Sequence, residues 1–97
     1  MTQITHVVLV AWKNGHETAD ARVGPALREL GRSVPGIVSL VEGRSSSPEG
    51  KEDGYDYGFV ITFKDASARD AYLPHPHHQV VAGMIGDHAE RVLVFDV

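Results

Sequence analysis

The chain has 97 residues, with 9 Lys plus Arg against 13 Asp plus Glu and a formal net charge of −4. That length fits one domain, expected over residues 1–97, and the charge lacks the positive excess that a phosphate backbone attracts, so nucleic acid is not an expected partner. A hydrophobic content of 42% with 10 Gly and 5 Pro is globular composition. The absence of cysteine removes disulfides, thiolate nucleophiles and zinc–thiolate or iron–sulfur sites. The longest apolar run, Val7–Trp12, follows no basic stretch and falls far short of the roughly 20 residues of a membrane span, so no membrane partner is expected and the expected location is cytoplasmic.

Ile4–Trp12 is rich in β-branched residues and closes on Lys13-Asn14-Gly15, which predicts a strand that is apolar on both faces. From Glu17 to Ser33, the positions Val23, Ala26, Leu27, Leu30 and Val34 recur at helical spacing. Gly24-Pro25 interrupts that helix, so a kink or a later start near Gly24 is expected. Val34-Pro35-Gly36 ends it, and Ile37–Gly43 alternates as a second strand. The polar stretch Arg44–Gly54, with its Pro and Gly, reads as a loop and as the best place for a mobile lid. Tyr55–Phe63 alternates an aromatic-rich face against a second face on which Gly58 leaves space. Ser67-Ala68-Arg69-Asp70 has the form of a capping box and opens a short helix through Leu73. Pro76 then starts another, running to about Gly86, and Arg91–Val97 is a final strand.

The order strand, helix, strand, strand, helices, strand is the βαββαβ pattern of a ferredoxin-like α+β sandwich. Helices of this number cover one face of a four-stranded sheet. The first and last strands are apolar on both sides, so the bare face is expected to pack on a second copy, giving a homodimer closed as an α+β barrel.

A set of local matches resembles a known family. They are His6 in Thr-His-Val-Val-Leu-Val, then Pro35-Gly36-Ile37-Val38-Ser39-Leu40 followed by Gly43-Arg44, then Ser47-Pro48-Glu49-Gly50-Lys51 and Gly54-Tyr55-Asp56. Further along come Val60-Ile61-Thr62-Phe63, Ala71-Tyr72-Leu73-Pro74-His75-Pro76-His77-His78 and Val92-Leu93-Val94-Phe95-Asp96. Together they span the chain and resemble the stress-responsive A/B barrel (Dabb) domains. That resemblance implies a ferredoxin-like protomer, a dimer and a pocket between helices and sheet. Members of the family include stress-induced proteins and cyclases that close polyketide chains by aldol condensation.

In the cyclase-like members the residues matching Tyr72 and His78 form the catalytic pair, with the histidine taking a carbon-bound proton and the tyrosine holding a carbonyl oxygen. The resemblance also implies that His6 lines the pocket, and that Tyr57 stands where those members carry another pocket histidine. The residue chemistry is consistent with those roles: a carbon acid beside a carbonyl needs a base and a donor to the developing oxyanion. Val8, Phe59, Leu27, Val81 and Ile85 complete the expected apolar wall.

Helical arithmetic does not settle which histidine faces that wall. With Val80, Val81, Met84 and Ile85 as the buried stripe, about 100° per residue centres His77 and His88 and leaves His78 at the edge, whereas the resemblance selects His78. His75 reads as a cap of the last helix and His16 as a solvated helix start. His75, His78, Asp87 and His88 lack a coordinating interval, so no metal and no cofactor is expected. The leading expectation is a homodimer whose pocket takes a small hydrophobic carbonyl compound and acts as a cofactor-independent cyclase or isomerase. A non-catalytic stress-responsive or structural protein is the second reading, and a cofactor-free monooxygenase on the same barrel is the third.

Overall fold

Period-two alternation builds the sheet, and the computed structural model describes residues 2–97 of it. Strand β1 (Ile4–Trp12) buries His6, Val8, Val10 and Trp12 on one side and leaves Val7 and Leu9 half-buried on the other. Helix α1 (Asp20–Ser33) follows, then β2 (Ile37–Arg44), β3 (Tyr57–Phe63), α2 (Ala66–Tyr72), α3 (Pro76–His88) and β4 (Ala89–Asp96). All pairings are antiparallel and the strand order is β2-β3-β1-β4, so the first and last strands of the chain pair with each other while β2 and β4 form the edges of the sheet. This is the expected ferredoxin-like arrangement.

The helices lie on one face and seal the core. Val23, Leu27, Leu30 and Val34 meet Val8, Val10, Tyr57, Phe59, Ile61 and Phe63 there, with Tyr72, Val81 and Ile85 closing the far end. Burial of large apolar side chains at about 25 cal/mol per Å² is the main stabilising contribution. Helix α1 does not start at Gly24: it runs unbroken from Asp20 through Pro25. Pro25 and the residue one turn back, Ala21, are both exposed, so the missing backbone bond falls on the solvent side where water replaces it. Helix α2 is capped by Asp65, whose Oδ1 accepts from the Ala68 amide at 2.8 Å, two residues ahead of the Ser67 box read from the sequence.

Among the described residues no helix covers the other sheet face. Val41 (64% exposed), Leu93 (41%) and Phe95 (62%) stand open there. Gly58 pairs with Leu9 on one side and Gly43 on the other, and the two glycines border a hollow of about 410 Å³. The loop between β2 and β3 runs along the rim of this hollow, with Ser45, Lys51, Glu52 and Tyr55 facing it. Arg91 clamps the loop by stacking on Tyr55 at 4.7 Å and donating to the Asp53 carbonyl at 3.0 Å. The segment expected as a lid therefore borders the bare face and does not reach the helix-side pocket.

Candidate active site

Two helix boundaries create the site. Helix α2 ends at Tyr72, Pro74 cannot continue it, and His75 turns the chain so that Pro76 opens α3 with the His75 Nδ1 accepting from the His77 amide at 3.1 Å. This bend brings the Tyr72 and His78 rings to 4.3 Å between centroids. A cleft of about 290 Å³ opens between α2, α3 and the sheet, and His6, Val8, Leu27, Phe59, Tyr72, His78, Val81 and Ile85 all line it. Leu73, Val92 and Val94 extend the wall toward the sheet edge.

Both imidazoles of the cleft have a fixed hydrogen-bond partner. His78 Nδ1 lies 2.8 Å from the Leu73 carbonyl, which can only accept, so Nδ1 carries the hydrogen and neutral His78 keeps Nε2 as its basic nitrogen. Burial alone pushes the Tyr72 phenol well above its ordinary value of 10.0, with no charged or hydrogen-bonding partner contributing. Tyr72 therefore stays protonated and able to donate. His6, 5% exposed, packs edge-on to Tyr72 at 6.1 Å and to Phe63 at 5.9 Å. Its Nδ1 is 2.6 Å from Asp96 Oδ1, and Asp96 Oδ2 in turn takes a bond from Arg69 Nη1 at 3.1 Å. Burial opposes the charge on Asp96, but the bonds from His6 and Arg69 outweigh it and hold the carboxyl below its usual value of 3.8.

Tyr57 does not belong to this cleft. Two residues along β3 from Phe59, roughly 7 Å further down the strand, it stacks on Trp12 at 5.5 Å and donates to Glu42 Oε1 at 2.5 Å. Burial, and then that bond to Glu42, push its phenol well above 10.0. The remaining histidines also lie elsewhere. Exposed His77 contacts Ser33 Oγ at 3.1 Å through Nδ1 in the groove between α1 and α3, and His88 pairs with half-buried His16, Nδ1 to Nδ1, at 2.9 Å. His16 is thus a partnered side chain rather than a solvated one. Among the described residues no three His, Asp or Glu side chains converge as metal ligands.

Asp96, Arg69 and the Leu73 carbonyl were not among the candidate site residues read from the sequence. Asp96 left one signal: it shares its alternation with Val92 and Val94, which places a carboxylate on the cleft side just past the apolar run Val92–Phe95.

The family model of the stress responsive A/B barrel domain matches residues 4–97. The chain belongs to the Dabb family. Its sheet order and helix placement match a dimeric ferredoxin-like protein from Jannaschia sp. CCS1 at 30% identity, with 99% of this chain and 98% of that chain covered and a TM-score of 0.88. A Dabb family protein from Mesorhizobium loti is similar at 24% identity, covering 100% of this chain and 96% of that one with a TM-score of 0.79. A hydroxynitrile lyase from Passiflora edulis shares this Dabb fold at 16% identity, covering 98% of this chain and 91% of that one with a TM-score of 0.86. No curated protein matches the sequence. No helix among the described residues is long and apolar enough to cross a membrane.

Proposed function

We propose that this Dabb domain pairs with a second copy through its bare sheet face and that each cleft binds a small hydrophobic carbonyl compound and moves protons on it without a cofactor. The reading is carried by one arrangement: a Tyr72 hydroxyl kept protonated beside a His78 whose Nδ1–H is tied to a backbone carbonyl, leaving a basic Nε2, on a mostly apolar wall. His78 takes a proton from the carbon next to the carbonyl, the C–H electron pair moves to form the enolate, and its oxygen receives the Tyr72 hydrogen bond. The enolate carbon then attacks a second carbonyl of the same molecule and closes a ring by aldol addition, the new alkoxide taking the proton from the His78 imidazolium; where the enolate is conjugated with a C=C bond, the imidazolium instead returns the proton at the far end of that system, giving an isomer. His6, edge-on to the Tyr72 ring at 6.1 Å, assists these transfers.

Pairing through the bare face follows from the exposed Val41, Leu93 and Phe95 and agrees with the dimeric Jannaschia relative. The lyase on this fold supports only the statement that the architecture carries an enzyme, because 16% identity transfers no residue roles.

The test is deuterium uptake by the simple ketone benzylacetone in D2O, followed by proton NMR. Wild-type protein should accelerate uptake beside the carbonyl. His78→Ala should lower the rate by about 100-fold or more, and Tyr72→Phe by about 100- to 1,000-fold, the usual loss for a base and for one oxyanion donor. Unchanged uptake in His78→Ala, with circular dichroism intact, would reject the catalytic assignment and leave a structural protein.

A further inference from the structure

Two imidazoles face the cleft, and the role assigned to His78 leaves the state of His6 unexplained. We propose that Asp96, anchored by Arg69, is a positioning residue that fixes His6 as the Nδ1–H tautomer and so leaves its Nε2 as a second open proton acceptor in the cleft. The use made of that acceptor rests on the proton-transfer reading above.

The geometry supplies the argument. His6 and Asp96 are register partners on adjacent strands, so the 2.6 Å contact between Nδ1 and Oδ1 is set by the sheet and not by a flexible loop. An ionised carboxylate has no hydrogen to give, so in this contact His6 Nδ1 must be the donor, and a neutral ring then keeps its lone pair on Nε2. A carboxylate at a strand end can rotate, and Arg69 prevents it: Nη1 holds Oδ2 at 3.1 Å, on the side away from His6. Arg69 is itself steadied by Asp70, through a bond from Nε to Oδ1 at 3.1 Å. Arg69 and Tyr72 are three residues apart on α2, hence neighbours on one helix face. One helix therefore presents both the hydroxyl of the cleft and the cation that aims its second imidazole. The two histidines reach the same tautomer by different means, His78 through a backbone carbonyl and His6 through a side chain that substitution can change.

The contact fixes a tautomer whether or not the cleft uses it, so the tautomer is read first and benzylacetone exchange, which a purely structural clamp would not control, second. The first measurement is long-range proton–nitrogen NMR on protein labelled at histidine nitrogen, which reports which ring nitrogen bears hydrogen. In wild type, His6 should be the Nδ1–H form. In Asp96→Asn the carboxamide can turn its NH2 toward Nδ1, so the Nε2–H form should become the major one. Arg69→Gln should give a mixture, with the amide fingerprint spectrum otherwise preserved. Benzylacetone exchange should fall at least 10-fold in Asp96→Asn, the same kind of loss, though smaller, as wrong-tautomer histidines show in hydrolase triads.

Finding His6 as Nε2–H in the wild type, or as Nδ1–H to the same extent in Asp96→Asn, would overturn the proposal. If Asp96→Asn does not fold, Arg69→Gln carries the decision, and an unchanged tautomer there overturns the anchoring. A tautomer switch in a protein that exchanges no benzylacetone even as wild type would uphold the positioning role and remove the proton-transfer reading instead.

Discussion

Gly36 is the position at which a single methyl group should do the most damage to the cleft without touching it. Its φ is +90°, a backbone conformation that side chains with a Cβ rarely adopt, and a Cβ built there would lie 2.6 Å from the Ala68 Cβ on α2. Carbon atoms in contact prefer about 3.5–4.0 Å, so α2 would have to retreat by roughly 1 Å. The backbone cannot give way at Gly36, because its carbonyl accepts from the Lys64 amide at 2.9 Å and fixes the turn against the end of β3. Left-handed strain costs about 1–2 kcal/mol and overpacking about 1–3 kcal/mol, against which loss of glycine freedom in the unfolded chain returns about 0.4–1 kcal/mol. Gly36→Ala should therefore destabilise by about 2–4 kcal/mol, which for a chain this short lowers Tm by about 8–30 °C. Thermal unfolding by circular dichroism at fixed protein concentration reads this directly, the concentration being held because the proposed pairing would add to stability. Adding Ala68→Gly to Gly36→Ala should recover the steric part alone, so a double-mutant cycle should show coupling of about 1–3 kcal/mol. A Tm within about 3 °C of wild type, or no coupling in the cycle, would show that this turn does not hold α2 where the argument places it.

Three other outcomes follow from the same contacts. Phe95→Asp puts a charge on the bare sheet face and should convert a dimer into a monomer in sedimentation velocity at micromolar concentration; wild type that sediments as a monomer at that concentration would remove the pairing argument. Tyr57 and Tyr72 are both held well above 10.0, so Tyr57→Phe and Tyr72→Phe should remove no absorbance step from a tyrosinate titration through the ordinary range. The raised values make their stabilisation complete below about pH 10 and lost above it, so alkaline unfolding should be less steep in either variant. Asp96 has the opposite sign: its folded value is depressed, so its stabilisation is present above the ordinary 3.8 and is lost as pH falls through the folded value. The stability gap between wild type and Asp96→Ala should accordingly shrink in acid, and a gap independent of pH would contradict the ion pairing.

What was legible in the sequence was whatever a local period encodes. Alternation along β1 put His6, Val8 and Val10 on one face, and the α1 stripe of Val23, Leu27, Leu30 and Val34 emerged as read. The period failed on α3 because its exposed and buried sides are both apolar: Val80 is 66% exposed, and the true stripe is Val81 and Ile85. Re-centred on Val81 and Ile85, the stripe lies about 40° from His78, which is one turn back from Val81, so the period no longer disfavours His78; His88 fits equally well, and the period alone still does not choose between them. The Asp96 contact with His6 and the His88 contact with His16 join residues 90 and 72 apart in sequence, and such pairings are fixed by strand register and chain reversal, which no local pattern carries. Tyr57 misled for a related reason: its face was right but its depth along β3 was not, and depth is a property of the packed helices above it.

β4 is where the two halves of the functional argument meet. Its cleft-side residues Val92 and Val94 are 48% and 56% exposed, and its opposite-side residues Leu93 and Phe95 are 41% and 62% exposed, so neither face is covered within one copy. An edge strand bare on both sides is a poor wall for a site that needs fixed distances. Its position is set chiefly by β1, to which it is hydrogen-bonded from His6–Asp96 to Val10–Val92. A second copy over Leu93 and Phe95, as proposed above, would restrain the same backbone that carries Val92, Val94 and Asp96 on the other side. The bare face and the cleft are therefore not independent features of the sheet: they share one strand, and the proposed pairing, in removing apolar surface from water, would also stiffen the wall that holds the His6 imidazole.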